Sequence, residues 1–156
     1  MAEAERADHR RMGVQLNNEG WDILEGRRTD DSSERMLYRA YASTFHWMVA
    51  GDAINQARGE HLISRTALAI GETDLALIHA GRSLELIESN PALAEDWDRV
   101  FALEALARAR AATGDLSGAE KDLAAALAAC EAVAEDDDRE AARQVLDSGP
   151  WFGLRD

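Results

Sequence analysis

Three side chains able to grip an anion stand at helical spacing in the middle of this chain. Arg58, His61 and Arg65 are three and four residues apart, which places them on one face of a helix. Phe101, Glu104 and Arg108 repeat that spacing, and each set lies at the same distances ahead of a glycine, Gly71 for the first and Gly114 for the second. A guanidinium offers parallel N–H donors that match a carboxylate or a phosphate, so such a strip suits an acidic peptide or a small anionic metabolite. The same residues also have a structural use. Paired with Glu60, Asp96, Asp98 and Glu104, the arginines become struts that hold neighbouring helices together.

A second grouping belongs to a different class of function. His46, Glu60 and His79, together with Arg65 and Arg108, form a polar set that a small enzyme or metabolite-binding protein could gather between helices. That reading expects a deep closed pocket, whereas a binding module expects a shallow open groove. Metal chemistry is not expected. Di-metal helical bundles use Glu-x-x-His, no glutamate here precedes any of the four histidines by three residues, and adjacent Glu60 and His61 point to different faces. Gly-rich phosphate loops, a nucleophile elbow and a Cys–His pairing are all missing from the sequence. The run Glu135-Asp136-Asp137-Asp138 reads as a solvated helix start favoured by the helix dipole, and its spacing is not that of a calcium loop. Neither a cofactor nor a metal is expected, and the chain reads as a binding module ahead of an enzyme.

Helices must position these groups. Strand alternation is weak, while helix signals recur. Asp31-Ser32-Ser33-Glu34 and Ser117-Gly118-Ala119-Glu120 fit the capping box, and Asn90-Pro91 fits a cap followed by proline at the first helical position. These starts and stops predict helices at about 4–25, 32–50, 53–70, 73–89, 92–113, 116–134 and 137–147. Short connections make neighbours antiparallel. The expected architecture is therefore all-α and built of stacked hairpins, as one domain: a degenerate hairpin over 4–50, repeats over 53–89 and 92–134, and a capping helix with tail over 137–156. Helix 32–50 carries Met36, Leu37, Tyr38, Tyr41, Phe45, Trp47, Met48 and Val49 on nearly all faces, which predicts a central, doubly packed helix. The charged loop 25–31 is the expected flexible spot.

The segments around the two glycines are alike. Ala67 to Glu72 leads into Leu75-Ala76, Ala80, Ser83 and Leu84, and Arg110 to Asp115 leads into Gly118-Ala119, Leu123, Ala126 and Leu127. The Gly-acidic turns with a small residue five positions on resemble the tetratricopeptide repeat, over about residues 57–89 and 100–133. Departures include Glu60 where that family prefers a large aromatic, Ala67 and Arg110 where it prefers Tyr, and Glu88 and Glu131 where it prefers Pro. The copies also stand about nine residues further apart than a tight array, through Ser89 to Trp97. Along its length the chain is also similar to a set of small bacterial tetratricopeptide-like proteins, through Ala42-Ser43, His46-Trp47, Ala57 to Glu60, His79-Ala80 and Phe101 to Ala109. The resemblance implies a short α-solenoid of about seven helices. It also implies that the first helix of each hairpin lines a concave groove, so that Arg58, His61, Arg65, Phe101, Glu104 and Arg108 face a ligand there. A carboxylate at Glu60 would need Arg58, Arg65 or Arg108 as its partner, or an outlet to solvent.

Charge narrows the partners. With 30 acidic against 17 basic residues the formal net charge is −13, which opposes nucleic-acid phosphates and anionic membranes. A protein or peptide partner, a small anionic ligand or a second copy through the Ala-rich stretch 119–134 remains. The single cysteine, Cys130, suits a buried small hydrophobe, and no apolar run serves as a signal core or a membrane span, so a cytoplasmic location is expected. The last segment, Gly149 to Leu154, concentrates Trp151, Phe152 and Leu154. Either Trp151 and Phe152 are buried against their own domain, or the tail is a docking motif for a partner.

Overall fold

A computed structural model describes residues 1–27 and 32–155. Among these, all regular structure is helical: α1 (Glu3–Leu24), α2 (Ser33–Ala50), α3 (Ala53–Ala69), α4 (Thr73–Ser89), α5 (Asp96–Ala112), α6 (Leu116–Glu131) and α7 (Asp136–Asp147). Consecutive helices pair as hairpins, α1 with α2, α3 with α4 and α5 with α6. The first helices of the hairpins form one layer, in which α3 packs on both α1 and α5, while α7 closes the end against α5 and α6.

The two glycine turns fold alike down to their hydrogen bonds. Glu72 N–H donates to Ala67 O at 2.9 Å and Asp115 N–H to Arg110 O at 2.9 Å. These six-residue closures belong to the Schellman motif, which ends a helix on a residue in the left-handed region. Gly71 and Gly114 supply it with φ of 85° and 91°, values that a side chain would strain. Beyond the turn the copies diverge. Asp115 caps α6 by accepting from Gly118 N–H at 2.9 Å, whereas Glu72 makes no side-chain cap. The α6 cap is thus Asp115 and not the expected Ser117, whose position lies inside the helix.

Helix starts differ from expectation at two other points. Asn90-Pro91 does not open α5. Asn90 instead ends α4, its side chain donating to Leu86 O at 2.8 Å, and α5 starts at Asp96 behind a Glu95–Asp98 capping box. The residues that separate the two repeats are spent on this turn. At α2 the cap is Ser32, which accepts from Arg35 N–H, while Asp31 and most of the charged loop around it lie outside the described residues.

The central helix is α5, not α2. Every residue from Ala102 to Ala109 is buried, because α5 packs on α3, α4, α6 and α7. By contrast α2 packs its backbone against α1 and α3, reaches α4 only through side chains such as Tyr41, and buries Ala40, Ser43, Thr44, Trp47 and Ala50. Tyr38, Tyr41, Phe45 and Met48, which recur at spacings of three and four on its other side, are exposed. Apolar content alone does not distinguish a helix packed on both sides from one at the end of a stack.

The tail divides. Trp151 is buried in the cluster formed by Val100, Leu103, Ala126, Val133, Ala142 and Leu146, with Leu154 packed against it. Phe152, expected to be buried as well, is 37% exposed, its backbone turned outward at φ 55°. Cys130 sits in the same cluster. No helix among the described residues is long and apolar enough to cross a membrane.

Candidate functional site

Layering the first helices brings their exposed edges around one hollow. A cavity of about 390 Å³ is lined by Asn17, Trp21 and Leu24 of α1 with Glu25 just beyond it, Arg58, His61 and Arg65 of α3, Trp97 and Phe101 of α5, and Val145 and Ser148 near the end of α7. A shallower hollow of about 270 Å³ continues it past Asn17 and Arg58 toward Asn55. A larger cleft of about 610 Å³ lies elsewhere, between α4 and the α5–α6 hairpin, but it is more open, and Glu85, Glu88 and Asp115 outnumber Arg110 along it. The smaller cavity carries the richer chemistry.

Its wall is an aromatic row. Trp21 and His61 have ring centroids 5.2 Å apart, His61 and Phe101 6.0 Å, and Phe101 and Trp97 5.8 Å, so the row crosses from α1 through α3 to α5. Contacts at these separations favour offset or tilted rings. Arg58 lies over the Trp97 ring at 4.5 Å and binds Asp98 with two parallel bonds, Nε at 2.8 Å and Nη2 at 2.9 Å. The hydrogen bond to Asp98 comes first among the causes that raise the Arg58 pKa, so this guanidinium keeps its charge.

Behind the wall lies a buried charge cluster. Glu104 is 0% exposed and accepts from both Arg65 and Arg108 through one oxygen, Oε1. Its other oxygen, Oε2, has no hydrogen-bond partner among the described residues and faces His61 Nε2 at 3.6 Å, beyond hydrogen-bond reach. Burial opposes the Glu104 charge, yet Arg65, His61 and Arg108 together outweigh it and hold the carboxyl down to about 2.

Arg108 does not belong to the groove surface. It is 1% exposed, and every nitrogen is engaged: Nε on Glu104, Nη1 on Pro150 O at 2.6 Å, and Nη2 on Val145 O at 2.9 Å and Ser148 O at 2.7 Å. Its guanidinium also covers the Trp151 ring at 3.9 Å. Three of those contacts cap the carbonyl end of α7 and the turn after it, where a cation is favoured. Of the six groove residues expected, Arg58, His61, Arg65 and Phe101 line the cavity, while Glu104 and Arg108 are struts beneath it. Of the acidic partners expected, Asp98 and Glu104 serve. Asp96 instead accepts from Ala134 N–H at 2.8 Å, and Glu60 is held elsewhere.

The alternative polar cluster is not assembled. Glu60 is buried with His79 of α4, whose Nδ1–H donates to its carboxylate at 2.5 Å, and Tyr41 O–H donates to the opposite ring nitrogen at 3.1 Å. The carboxylate fixes the histidine tautomer, so the arrangement ties α2, α3 and α4 together. Burial leads the causes that raise the Tyr41 pKa, with Glu60 adding to it, which disfavours the phenolate a nucleophile needs. His46 sits apart, its Nδ1 2.8 Å from Nδ1 of His9 in α1. Neither Arg65 nor Arg108 touches this set. Among the described residues no group of three or more His, Cys, Asp or Glu is arranged to hold a metal ion.

Sequence reasoning missed Trp21, Trp97 and Tyr41. Trp21 recurs with Asn17 and Leu24 at spacings of four and three on α1, and Trp97 stands four residues before Phe101, so both could have been assigned to their rows by the rule that found the arginines. Tyr41 gave no such signal, because its partner is reached only through the packing of α2 on its neighbours.

Two groups set a pH dependence. Burial, then His9, lowers the His46 pKa from 6.5, so the folded state prefers neutral His46 and loses stability as pH falls below that value. Glu104 is lowered from 4.5 to about 2, so its contribution is present above pH 4.5 and is lost as pH falls toward 2. The second step should be the larger, on the order of 3 kcal/mol. Thermal midpoints measured from pH 8 downward should show both steps. Glu104→Gln, starting from a lower stability, should remove the acid one, and an unchanged acid limb in that variant would contradict the assignment.

Compared with known proteins, the chain matches no family model, no curated protein and no solved structure.

Proposed function

We propose that the chain is a tetratricopeptide-like binding module, working without catalysis in the cytoplasm, whose concave cavity takes an anionic ligand, either an acidic peptide or a small metabolite. One observation carries this reading. Arg58 spends its Nε and Nη2 edge on Asp98, and Arg108 all its nitrogens on Glu104 and backbone carbonyls, whereas Arg65 keeps an unused guanidinium edge in a half-enclosed, aromatic-walled hollow of a strongly acidic protein. Glu25, also in the lining, shares Arg27 with Asp22. A guanidinium edge left free where water is partly excluded binds an anion more strongly than one on the open surface.

The enzyme reading has less to stand on, since the residues it needs are spread over three places and Glu60 and His79 are buried between helices. Pairing with a second copy through α6 is supported only by the Ala-rich sequence. That helix turns Ala119, Leu123, Ala126 and Cys130 inward and leaves little bulk outside beyond Leu116 and Leu127. Light scattering at high micromolar concentration tests it, and a monomer would remove it.

The binding reading is tested by a thermal-shift screen of acidic peptides, phosphorylated metabolites and organic carboxylates. At least one class should raise the melting temperature of the parent protein and fail to do so with Arg65→Gln. If none of them acts through Arg65, the cavity is not an anion site and the three arginines are all struts.

A further inference from the structure

We infer that the ligand of this cavity is a small planar aromatic monocarboxylate, its carboxylate on Arg65 and its ring against the aromatic row; this rests on the binding reading above and narrows it. The three guanidiniums differ in which edge is unused. Arg108 has spent all three nitrogens, and Arg58 has spent Nε and Nη2 on Asp98. Arg65 uses only Nη1, on Glu104, and its Nε and Nη2 have no hydrogen-bond partner among the described residues. Seven residues earlier on the same helix, Arg58 shows what the Nε and Nη2 edge does with a carboxylate, at 2.8 and 2.9 Å. Arg65 is 19% exposed and lines the cavity, so its matching edge is open to a ligand of that chemistry.

Charge sets the ligand at one negative charge. Arg65 offers a single unused guanidinium edge, and the Glu25 carboxylate also lines the cavity, so a second negative charge on the ligand would go unpaired. A dianion would place surplus charge beside Glu104, whose Oε2 already has no donor among the described residues. A phosphate monoester is therefore a poorer fit than a carboxylate.

Size and wall chemistry set the rest. A cavity of about 390 Å³ takes a molecule of one or two fused rings, and it lies at the low end of the range for drug-sized ligands. Trp21, Trp97, Phe101 and His61 present ring faces and edges from three helices, where a flat ring finds tilted or offset contacts that an alkyl chain does not. Leu24 and Val145 complete the apolar wall.

Calorimetric titration of the full chain with 2-naphthoate tests this, with 2-naphthalenemethanol, octanoate and 2-naphthyl phosphate as comparisons. One molecule of 2-naphthoate should bind per chain. The neutral alcohol should bind at least about tenfold more weakly, and octanoate roughly threefold to tenfold more weakly. Arg65→Gln should weaken naphthoate about tenfold or more and leave the alcohol unchanged. If that variant fails to fold, the ligand series on the unaltered chain, with Trp97→Leu reducing the preference of naphthoate over octanoate, gives the same reading. Octanoate or naphthyl phosphate binding as tightly as naphthoate, and through Arg65, overturns this inference while leaving the anion-binding reading standing. Failure of every anion to bind overturns both.

Discussion

Arg108→Ala should destabilise the protein by about 3 to 5 kcal/mol and release the C-terminal tail, because removing one partner of a buried ion cluster strands the others. Arg108 is 1% exposed and joins Glu104 on its own helix to the carbonyls of Val145, Ser148 and Pro150. Without it the Ser148 and Pro150 carbonyls lose their donor, Val145 O keeps only those of Ser148, and Glu104 keeps only Arg65 and a histidine beyond hydrogen-bond reach. Lysine should not rescue the loss, since one ammonium cannot serve four acceptors in a fork geometry. Arg65→Gln should cost much less, about 1 kcal/mol or under, because that side chain is partly solvated and Arg108 still neutralises Glu104. Urea denaturation of the three variants checks this, and equal losses for Arg65→Gln and Arg108→Ala would contradict the division of labour between them.

Trp151→Ala is the second large effect, expected at about 3 to 5 kcal/mol as for other buried tryptophans. Trp151 is 5% exposed, sits in the cluster of α5, α6 and α7, and lies under the Arg108 guanidinium. Its neighbour Phe152 is 37% exposed, so Phe152→Ala should cost less than about 1 kcal/mol. Deleting residues 149–156 should match the tryptophan substitution more closely than the sum of the two single changes. Since Trp151 and Arg108 share contacts, combining their alanine variants should cost less than the two losses added together. Thermal melts of the set are the measurement. Unchanged stability on deletion would instead make the segment a docking motif for a partner.

The fold was legible wherever local chemistry decides it. Gly71 and Gly114 announce their turns because only glycine takes those φ values cheaply, and the short loops force hairpins. The helix layer that carries the cavity followed from the same repeat. What the sequence concealed depends on neighbours that are distant in the chain. Tyr38, Tyr41, Phe45 and Met48 read as core because their hydrophobicity is visible, whereas the position of α2 at the end of the stack is not. Phe152 and Trp151 are adjacent and equally apolar, yet a reversal of the backbone at Phe152 sends them to opposite environments. The arginine rows were found, but the division between ligand-facing and structural members was not. It turns on the carbonyls of Val145, Ser148 and Pro150, about forty residues away, which bury Arg108 and leave Arg65 open. The same holds for Glu60, expected beside an arginine and held instead by His79.

The most direct test of the binding claim follows the arginine side chains themselves. In a ¹⁵N-labelled sample, the Nε–Hε resonance of Arg65, assigned through its absence in Arg65→Gln, should shift and saturate as 2-naphthoate is added. The corresponding resonance of Arg108, locked on Glu104, should stay in place. An Arg65 resonance that does not move at saturating naphthoate, or a response confined to other arginines, would contradict the claim that this guanidinium is the cavity's ligand contact.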